Sequence, residues 1–408
     1  MALELARGTH RSGVPVTDAP DLRGRQVLVV GASGFLGGRL AERLVVEHGA
    51  RVRVLIRRVA SATRLARLPV EIVPGDILDP GAVAAASEGC TVLFNCAKGT
   101  GGDPARRRAT DVDGVRHLVE AGATTGARLV QVSSLAVYDL PRDGDVSERS
   151  ADAPPGDPYA DAKLAGERLA FELGRSRGVP VTVIQPTVVY GPFATVHGSD
   201  ILDELRTGRM ILVDEGQGIC NAVYVDDAVT ALLRAATAAR APGERFLISG
   251  AEHPTWAEFF GGFARMLGAE DRLVPLGAPE AHELWRCSRR PPWLASEAMA
   301  LLRRDKTLRK RLLGTREGRW IRALAERLTP GRVRAAEQWA EPGQLPEHMT
   351  AEPPLGPMRP WLVDYLAKQA RVRIDKAREL LGYRPEFDLR AGLALTEEWA
   401  RWAGLVPE

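Results

Sequence analysis

The run Gln26-Val-Leu-Val-Val-Gly31-Ala-Ser33-Gly34-Phe35-Leu36-Gly37 constrains this chain more than any other stretch. Val27 to Val30 form a short apolar segment rich in β-branched residues, the pattern of a central parallel strand covered on both faces. Arg39-Leu40-Ala-Glu-Arg43-Leu44 then switches to helical spacing. Between them, glycines at 31, 34 and 37 permit a tight turn, admit a pyrophosphate to the backbone and let the helix pack close to the strand. Free N–H groups at the start of such a helix, helped by its dipole, favour phosphate. The spacing is G-x-x-G-x-x-G rather than G-x-G-x-x-G, so on this stretch alone a glycine turn in another α/β fold stays open.

The alternation continues. A helix over 35–48 leads to a strand at 51–56, followed by Arg57-Arg58. In a doubly wound fold that strand end lies beside the adenosine ribose, where a carboxylate suits the 2′-hydroxyl of NAD and an arginine suits a 2′-phosphate. Arg57 therefore predicts NADP in preference to NAD, with a solvated loop arginine as the bland alternative. A third strand at 70–73 runs into Gly75-Asp76-Ile77-Leu78-Asp79-Pro80. An aspartate here can accept from adenine's amino group, and capping the next helix is an equally good role for Asp79. The fourth strand, 91–95, opens into Cys96-Ala97-Lys98 and a glycine-rich loop through Gly102, at the edge where open α/β sheets bind ligands. A helix over 105–125 and a fifth strand at 128–132 end in Ser133-Ser134. Asp157-Pro158 then starts a helix that puts Tyr159 and Lys163, at i and i+4, on one face. A sixth strand, 181–185, is followed by Pro186 and Thr187.

Read together, these motifs resemble the extended short-chain dehydrogenase/reductases of the NAD-dependent epimerase/dehydratase superfamily. The resemblance rests on the glycine turn, Asp76 in Gly-Asp-Ile, Ser134, Tyr159-x-x-x-Lys163, Gln185-Pro-Thr-Val-Val-Tyr-Gly-Pro192, Val223-Tyr-Val-Asp-Asp227 and Leu381-Gly-Tyr-Arg-Pro385. It covers about residues 25–270 and 370–403, and the 25-residue interval from Ser134 to Tyr159 fits it. It implies a Rossmann-type doubly wound parallel sheet, with a smaller C-terminal substrate region. The turn residues Gly31, Ser33, Gly34, Phe35, Leu36 and Gly37, with Arg57, Asp76, Ile77, Ala97, Lys163 and Pro186, are then expected to hold the cofactor.

Catalysis falls to Ser134, Tyr159 and Lys163 by the same resemblance. The tyrosine exchanges a proton with a carbonyl or secondary alcohol while nicotinamide carries the hydride. A neighbouring lysine ammonium favours phenolate, the lysine is also expected on the nicotinamide ribose, and Ser134 steadies the reacting oxygen. Lys98, Ser134, Thr187, His197 and Asn221 are candidate substrate contacts, although a surface role suits His197 better. Departures from the family pattern narrow the chemistry. Asp111 stands where many relatives have an asparagine. Leu135-Ala136 replace the Asp-Glu pair of nucleotide-sugar dehydratases, and residues 218–222 hold no arginine to grip a sugar-nucleotide diphosphate.

The expected activity is therefore NADP-linked oxidation or reduction of a small-molecule secondary alcohol or ketone, with NAD also open. The alternatives are an NAD-retaining sugar-nucleotide epimerase and a non-catalytic dinucleotide-binding scaffold. A homodimer is expected.

Composition adds bounds. The 408 residues, 45% hydrophobic and 26% charged, suit a globular chain. Residues 285–340 carry fifteen Lys and Arg against five Asp and Glu, which leaves the remainder negative against a net charge of +3. Four cysteines without metal-type spacing predict a reducing cytoplasm and no metal, with Cys220 a buried inert thiol. Expected divisions are a leader at 1–22, a dinucleotide-binding core at 23–185 and a substrate region at 186–408. Within that region, 280–360 reads as a basic helical insertion containing Trp285, Trp293, Trp320 and Trp339. Such an insertion could lie on an anionic membrane, cover the active site above an acidic substrate, pack against a partner protein or subunit, or be a helical subdomain with a solvated basic face. Nucleic acid is not an expected partner, because no recognised module accompanies the charge. Asp226-Asp227 are expected to cap a helix over 228–240.

Overall fold

The computed structural model describes residues 21–99, 103–289 and 355–407. The chain begins β1 (Gln26–Val30), α1 (Phe35–Val46), β2 (Arg51–Ile56), β3 (Glu71–Pro74), α2 (Pro80–Ser87), β4 (Val92–Asn95), α3 (Pro104–Thr125) and β5 (Arg128–Val132). Next come β6 (Asp143–Val146), α4 (Pro158–Arg177), β7 (Val181–Pro186), β8 (Val188–Tyr190), α5 (Asp200–Thr207), β9 (Met210–Val213), β10 (Ala222–Tyr224) and α6 (Val225–Thr237). Then follow β11 (Arg245–Ile248), α7 (Trp256–Leu267), β12 (Leu273–Leu276) and α8 (Ala278–Arg289). The C-terminal part holds α9 (Pro360–Leu366), β13 (Gln369–Val372), α10 (Asp375–Leu381) and α11 (Leu389–Trp402).

Seven strands pair in parallel in the order β11-β7-β5-β4-β1-β2-β3. Alternation along β1 explains why both faces are covered. Leu28 and Val30 pack with Val83 of α2, Leu118 of α3 and Ala170 of α4. Val27 and Val29 belong to the other layer, with Leu40 and Leu44 of α1 and Leu232 of α6. Each fully buried leucine of this kind contributes about 2 kcal/mol. This is the doubly wound α/β fold expected, and its strand order reverses direction between β1 and β4, the switch point where such sheets bind ligands.

Three parallel two-stranded pairs, β8 with β10, β9 with β12 and β6 with β13, lie outside the main sheet, mostly in the segment expected to bind substrate. The last of these returns the C-terminal segment to the loop after β5. Several expectations change here. Leu22, assigned to the leader, is fully buried, whereas residues 1–20 lie outside the described part. The helix expected from 228 begins at Val225, and neither aspartate caps it. Asp226 instead grips the Arg39 guanidinium of α1 at 2.6 and 2.9 Å. Asp227 is buried and accepts from the backbone N–H groups of Glu386 and Phe387 at 2.8 and 3.2 Å. Of the basic insertion, only 280–289, within α8 and including Trp285, and 355–360 are described; Trp293, Trp320, Trp339 and residues 290–354 generally lie outside the described residues.

Candidate active site

The glycine turn sits at the switch point. Gly31 has φ +84°, and a Cβ there would lie 2.6 Å from the Cys96 carbonyl carbon, at the end of β4. A Cβ on Gly37 would lie 2.5 Å from the Gly31 carbonyl oxygen. Both positions therefore require glycine, and together they seat α1 directly on β1. Aspartates 79, 103 and 157 cap α2, α3 and α4. α1 begins at Gly34 with no capping side chain and no acidic residue in its first turn. Ser33 and Gly34 are exposed there, and Phe35 and Leu36 are half-buried. An uncapped positive helix end beside exposed backbone suits a pyrophosphate, so the residues present fit a dinucleotide.

The neighbouring strand ends complete this edge. Arg57 and Arg58 follow β2 and are exposed. Asp76 follows β3, accepts from the Leu78 amide at 3.1 Å and pairs with Arg106 at 2.5 Å. Ile77 is buried, and its carbonyl meets Nδ1 of His117 at 2.9 Å. Asp79 takes the capping role, accepting from the Gly81 and Ala82 amides. The Asn95 side chain accepts from the Ala97 amide at 3.1 Å and so shapes the loop after β4.

α4 carries the reactive groups because Asp157 accepts from the Tyr159 and Ala160 amides at 2.8 and 2.9 Å, with Pro158 at the first turn. Tyr159 is 37% exposed, whereas Lys163, one turn on, is 4% exposed. A Cβ on Gly166 would lie 2.3 Å from the Asp111 carbonyl oxygen, so glycine here allows α3 and α4 to touch. That approach sets the Asp111 carboxylate 2.8 Å from the Lys163 ammonium. Lys163 also donates to the Ala97 carbonyl at 3.4 Å. Its ammonium lies 6.0 Å from the Tyr159 ring centroid, and that of Lys98 lies 5.0 Å from it.

Ser134 opens a short turn, Leu135–Val137, that packs against α4. Its Oγ accepts from the Ala136 amide at 3.2 Å, leaving the hydroxyl hydrogen for another acceptor. A buried network lies behind it. The Tyr138 hydroxyl donates to Gln185 Oε1 at 2.7 Å, and Gln185 Nε2 donates to the Glu167 carboxylate at 2.9 and 3.0 Å. Burial raises the Glu167 carboxyl, opposed by its hydrogen bonds from Gln185. Glu167 thus ties α4 to the end of β7. Sequence reasoning assigned it no role, although its place two turns beyond Tyr159 was a signal.

On the substrate side, Pro186 is buried at the end of β7, and the Thr187 hydroxyl donates to Ser249 Oγ at 3.3 Å. His197 is not a surface residue. It is half-buried in the turn Thr195–Ser199. Burial pushes its imidazole down to about 4, the Lys98 ammonium acts in the same direction, and a hydrogen bond to the Val189 backbone opposes them. Asn221 is withdrawn as a substrate contact. Buried at φ +47°, it donates to the Ala370 carbonyl at 2.8 Å and accepts from the Val372 amide at 3.0 Å, so its amide is consumed in clamping β13. Cys220 is fully buried, and burial raises its thiol well above the ordinary range, as an inert core cysteine requires. Among the described residues no cluster of His, Cys, Asp and Glu could hold a metal ion, and no helix is long and apolar enough to cross a membrane.

Comparison with known proteins agrees with this arrangement. Residues 27–249 match the model of the NAD dependent epimerase/dehydratase family. The chain is 30% identical over 277 residues to a ceramide reductase of Caulobacter vibrioides, covering 64% of this chain and 76% of that protein. It is 29% identical over 313 residues to a UDP-glucose 4-epimerase of Mycolicibacterium smegmatis, covering 71% of this chain and 92% of the relative. An epimerase structure from Methanothermobacter thermautotrophicus superposes with a TM-score of 0.67 at 19% identity, over 96% of this chain and 98% of that one.

Proposed function

The chain belongs to the NAD-dependent epimerase/dehydratase family and is an NAD(P)-dependent enzyme of the extended short-chain dehydrogenase/reductase type, and we propose that it is an NADP(H)-dependent reductase of a secondary alcohol/ketone pair in a small metabolite. The observation that carries this reading is the partly exposed Tyr159 phenol, flanked by two ammonium groups at the switch point of the sheet.

When bound along the glycine turn, the nicotinamide cofactor supplies or accepts the hydride at the reacting carbon. Tyr159 gives its phenolic proton to the carbonyl oxygen during reduction, and takes it back in the reverse direction. Lys163, fixed by Asp111 and the Ala97 carbonyl, is held one turn along α4 from Tyr159, where it is expected to meet the nicotinamide ribose. Ser134 donates its free hydroxyl hydrogen to the same oxygen and steadies charge developing there. Glu167 and Gln185 hold α4 against the end of β7 from behind.

NADP is preferred because two exposed arginines, and no carboxylate, follow β2. A sugar-nucleotide epimerase is the weaker reading. Residues 218–222 hold no arginine, and they are committed to the C-terminal segment: the Ile219 amide donates to the Lys368 carbonyl at 2.8 Å, and Asn221 holds β13.

Deuteride tracing tests the proposal. With NADPH deuterated at C4 and a panel of ketones, a reductase consumes cofactor and delivers deuterium to the carbinol carbon. Tyr159→Phe should lower turnover by about 10²- to 10⁴-fold with cofactor binding retained. Inversion of a sugar-nucleotide carbinol with no net consumption of cofactor would favour the epimerase instead.

A further inference from the structure

The two cations beside Tyr159 are not equivalent. Lys163 is internally neutralised by Asp111 at 2.8 Å, both groups being about 5% exposed. A charge paired this closely projects little field outward. Lys98 is exposed, forms no ion pair with any described residue, and is the nearer of the two to the Tyr159 ring, at 5.0 Å against 6.0 Å. Its charge also reaches His197 on the substrate side. Lys98 therefore carries a positive charge beside Tyr159 that no described carboxylate offsets.

His197 sharpens the point. Held neutral by burial and with one ring nitrogen bonded to the Val189 backbone, it offers an acceptor and not a second cation. An anion beside Tyr159 has Lys98 as its partner. A lone ammonium suits a monoanion, whereas phosphate and diphosphate groups call for arginine forks or several donors. Beside His197 in the chain, Val196 is 59% and Phe193 40% exposed. Phe193 is held at φ +69°, with its ring against Trp399 at 5.3 Å and the Arg64 guanidinium at 4.2 Å. A bulky residue in that backbone region marks a segment under functional constraint.

We propose that Lys98 is a carboxylate receptor in the substrate site, so that the substrate is a keto or hydroxy acid whose carboxylate stands a few bonds from the reacting carbon. This rests on the reductase reading and specifies its substrate class.

The test separates the two claims by measuring binding and turnover on the same protein. Wild type and Lys98→Gln are titrated calorimetrically, with NADPH present, against 3-oxodecanoate and its methyl ester, which differ by one charge. The acid should bind wild type about tenfold more tightly than the ester, the size of one charge-assisted contact. Lys98→Gln should erase that difference, and Lys98→Arg should keep part of it. Rising salt should narrow the gap in wild type alone. Equal binding of acid and ester, binding of neither, or an acid preference that survives Lys98→Gln would overturn the inference. So would a Lys98→Gln protein that loses NADPH affinity with the acid-to-ester ratio intact, since Lys98 would then serve the cofactor. Lys98-dependent acid binding without NADPH oxidation would leave the receptor standing and sink the reductase reading. Turnover of uncharged ketones with no acid preference would do the reverse.

Discussion

The Lys163 ammonium and the Asp111 carboxylate meet at 2.8 Å inside the contact between α3 and α4, both nearly excluded from solvent. A pair buried this deeply contributes little net stability as a unit, but removing one member strands the other charge. It fixes Lys163 one turn along α4 from Tyr159. Asp111→Ala is therefore expected to destabilise the protein by about 3–5 kcal/mol, and Asp111→Asn by less, because the amide oxygen keeps a negative dipole end beside the ammonium. Urea unfolding measures both. Combining Asp111→Ala with Lys163→Met should recover part of the loss. If both single variants matched wild type, the ion pair would not be what holds Lys163.

The glycine turn makes a second prediction, which separates strain from function. A Cβ on Gly37 would lie 2.5 Å from the Gly31 carbonyl oxygen, so Gly37→Ala must push α1 off β1. Loss of about 1–3 kcal/mol is expected, together with at least tenfold weaker dinucleotide binding. Gly89 supplies the control. It has φ +68° with nothing within 4 Å of an added Cβ. Gly89→Ala should cost stability alone, about 1 kcal/mol, leaving cofactor binding unchanged. Equal effects of the two variants on binding would contradict the role given to the turn.

Asp227 links the fold to pH. Burial pushes its carboxyl up to about 7 despite the Glu386 and Phe387 amides that favour its ionised form. Between about pH 4 and 7 the native state then keeps a proton that the unfolded chain has released. Stability is expected to fall as pH rises through that window and to level off above it. Asp227→Asn should flatten the fall, measured as the difference in unfolding free energy between pH 4.5 and pH 7.5. An unchanged slope in the variant would show that Asp227 does not titrate in this window.

How much of this could be read from residues alone depended on distance along the chain. β1 to β5 and their helices were legible because each signal is local: an apolar β-branched run, a glycine turn, an aspartate-proline helix start. Asp157-Pro158 announced α4, and with it the placing of Tyr159 and Lys163. What failed were side chains whose partners lie far away. Asp226 looks like a helix cap, but its partner Arg39 is 187 positions upstream. Asn221 looks like a polar loop residue near a pocket, but it serves β13, about 150 positions downstream. His197 is a separate case: it follows the exposed Val196 and reads as surface, whereas the turn Thr195–Ser199 leaves it half-buried. Such pairings leave no periodicity to read.

The most direct test of the central claim is a titration of cofactor-stripped protein with NADPH and with NADH, repeated on Arg57→Ala. An NADP-dependent reductase should bind NADPH the more tightly of the two, and Arg57→Ala should reduce NADPH affinity by about tenfold or more while leaving NADH affinity unchanged. A preference for NADH that ignores Arg57 would contradict the cofactor assignment and return the weight to an NAD-retaining epimerase.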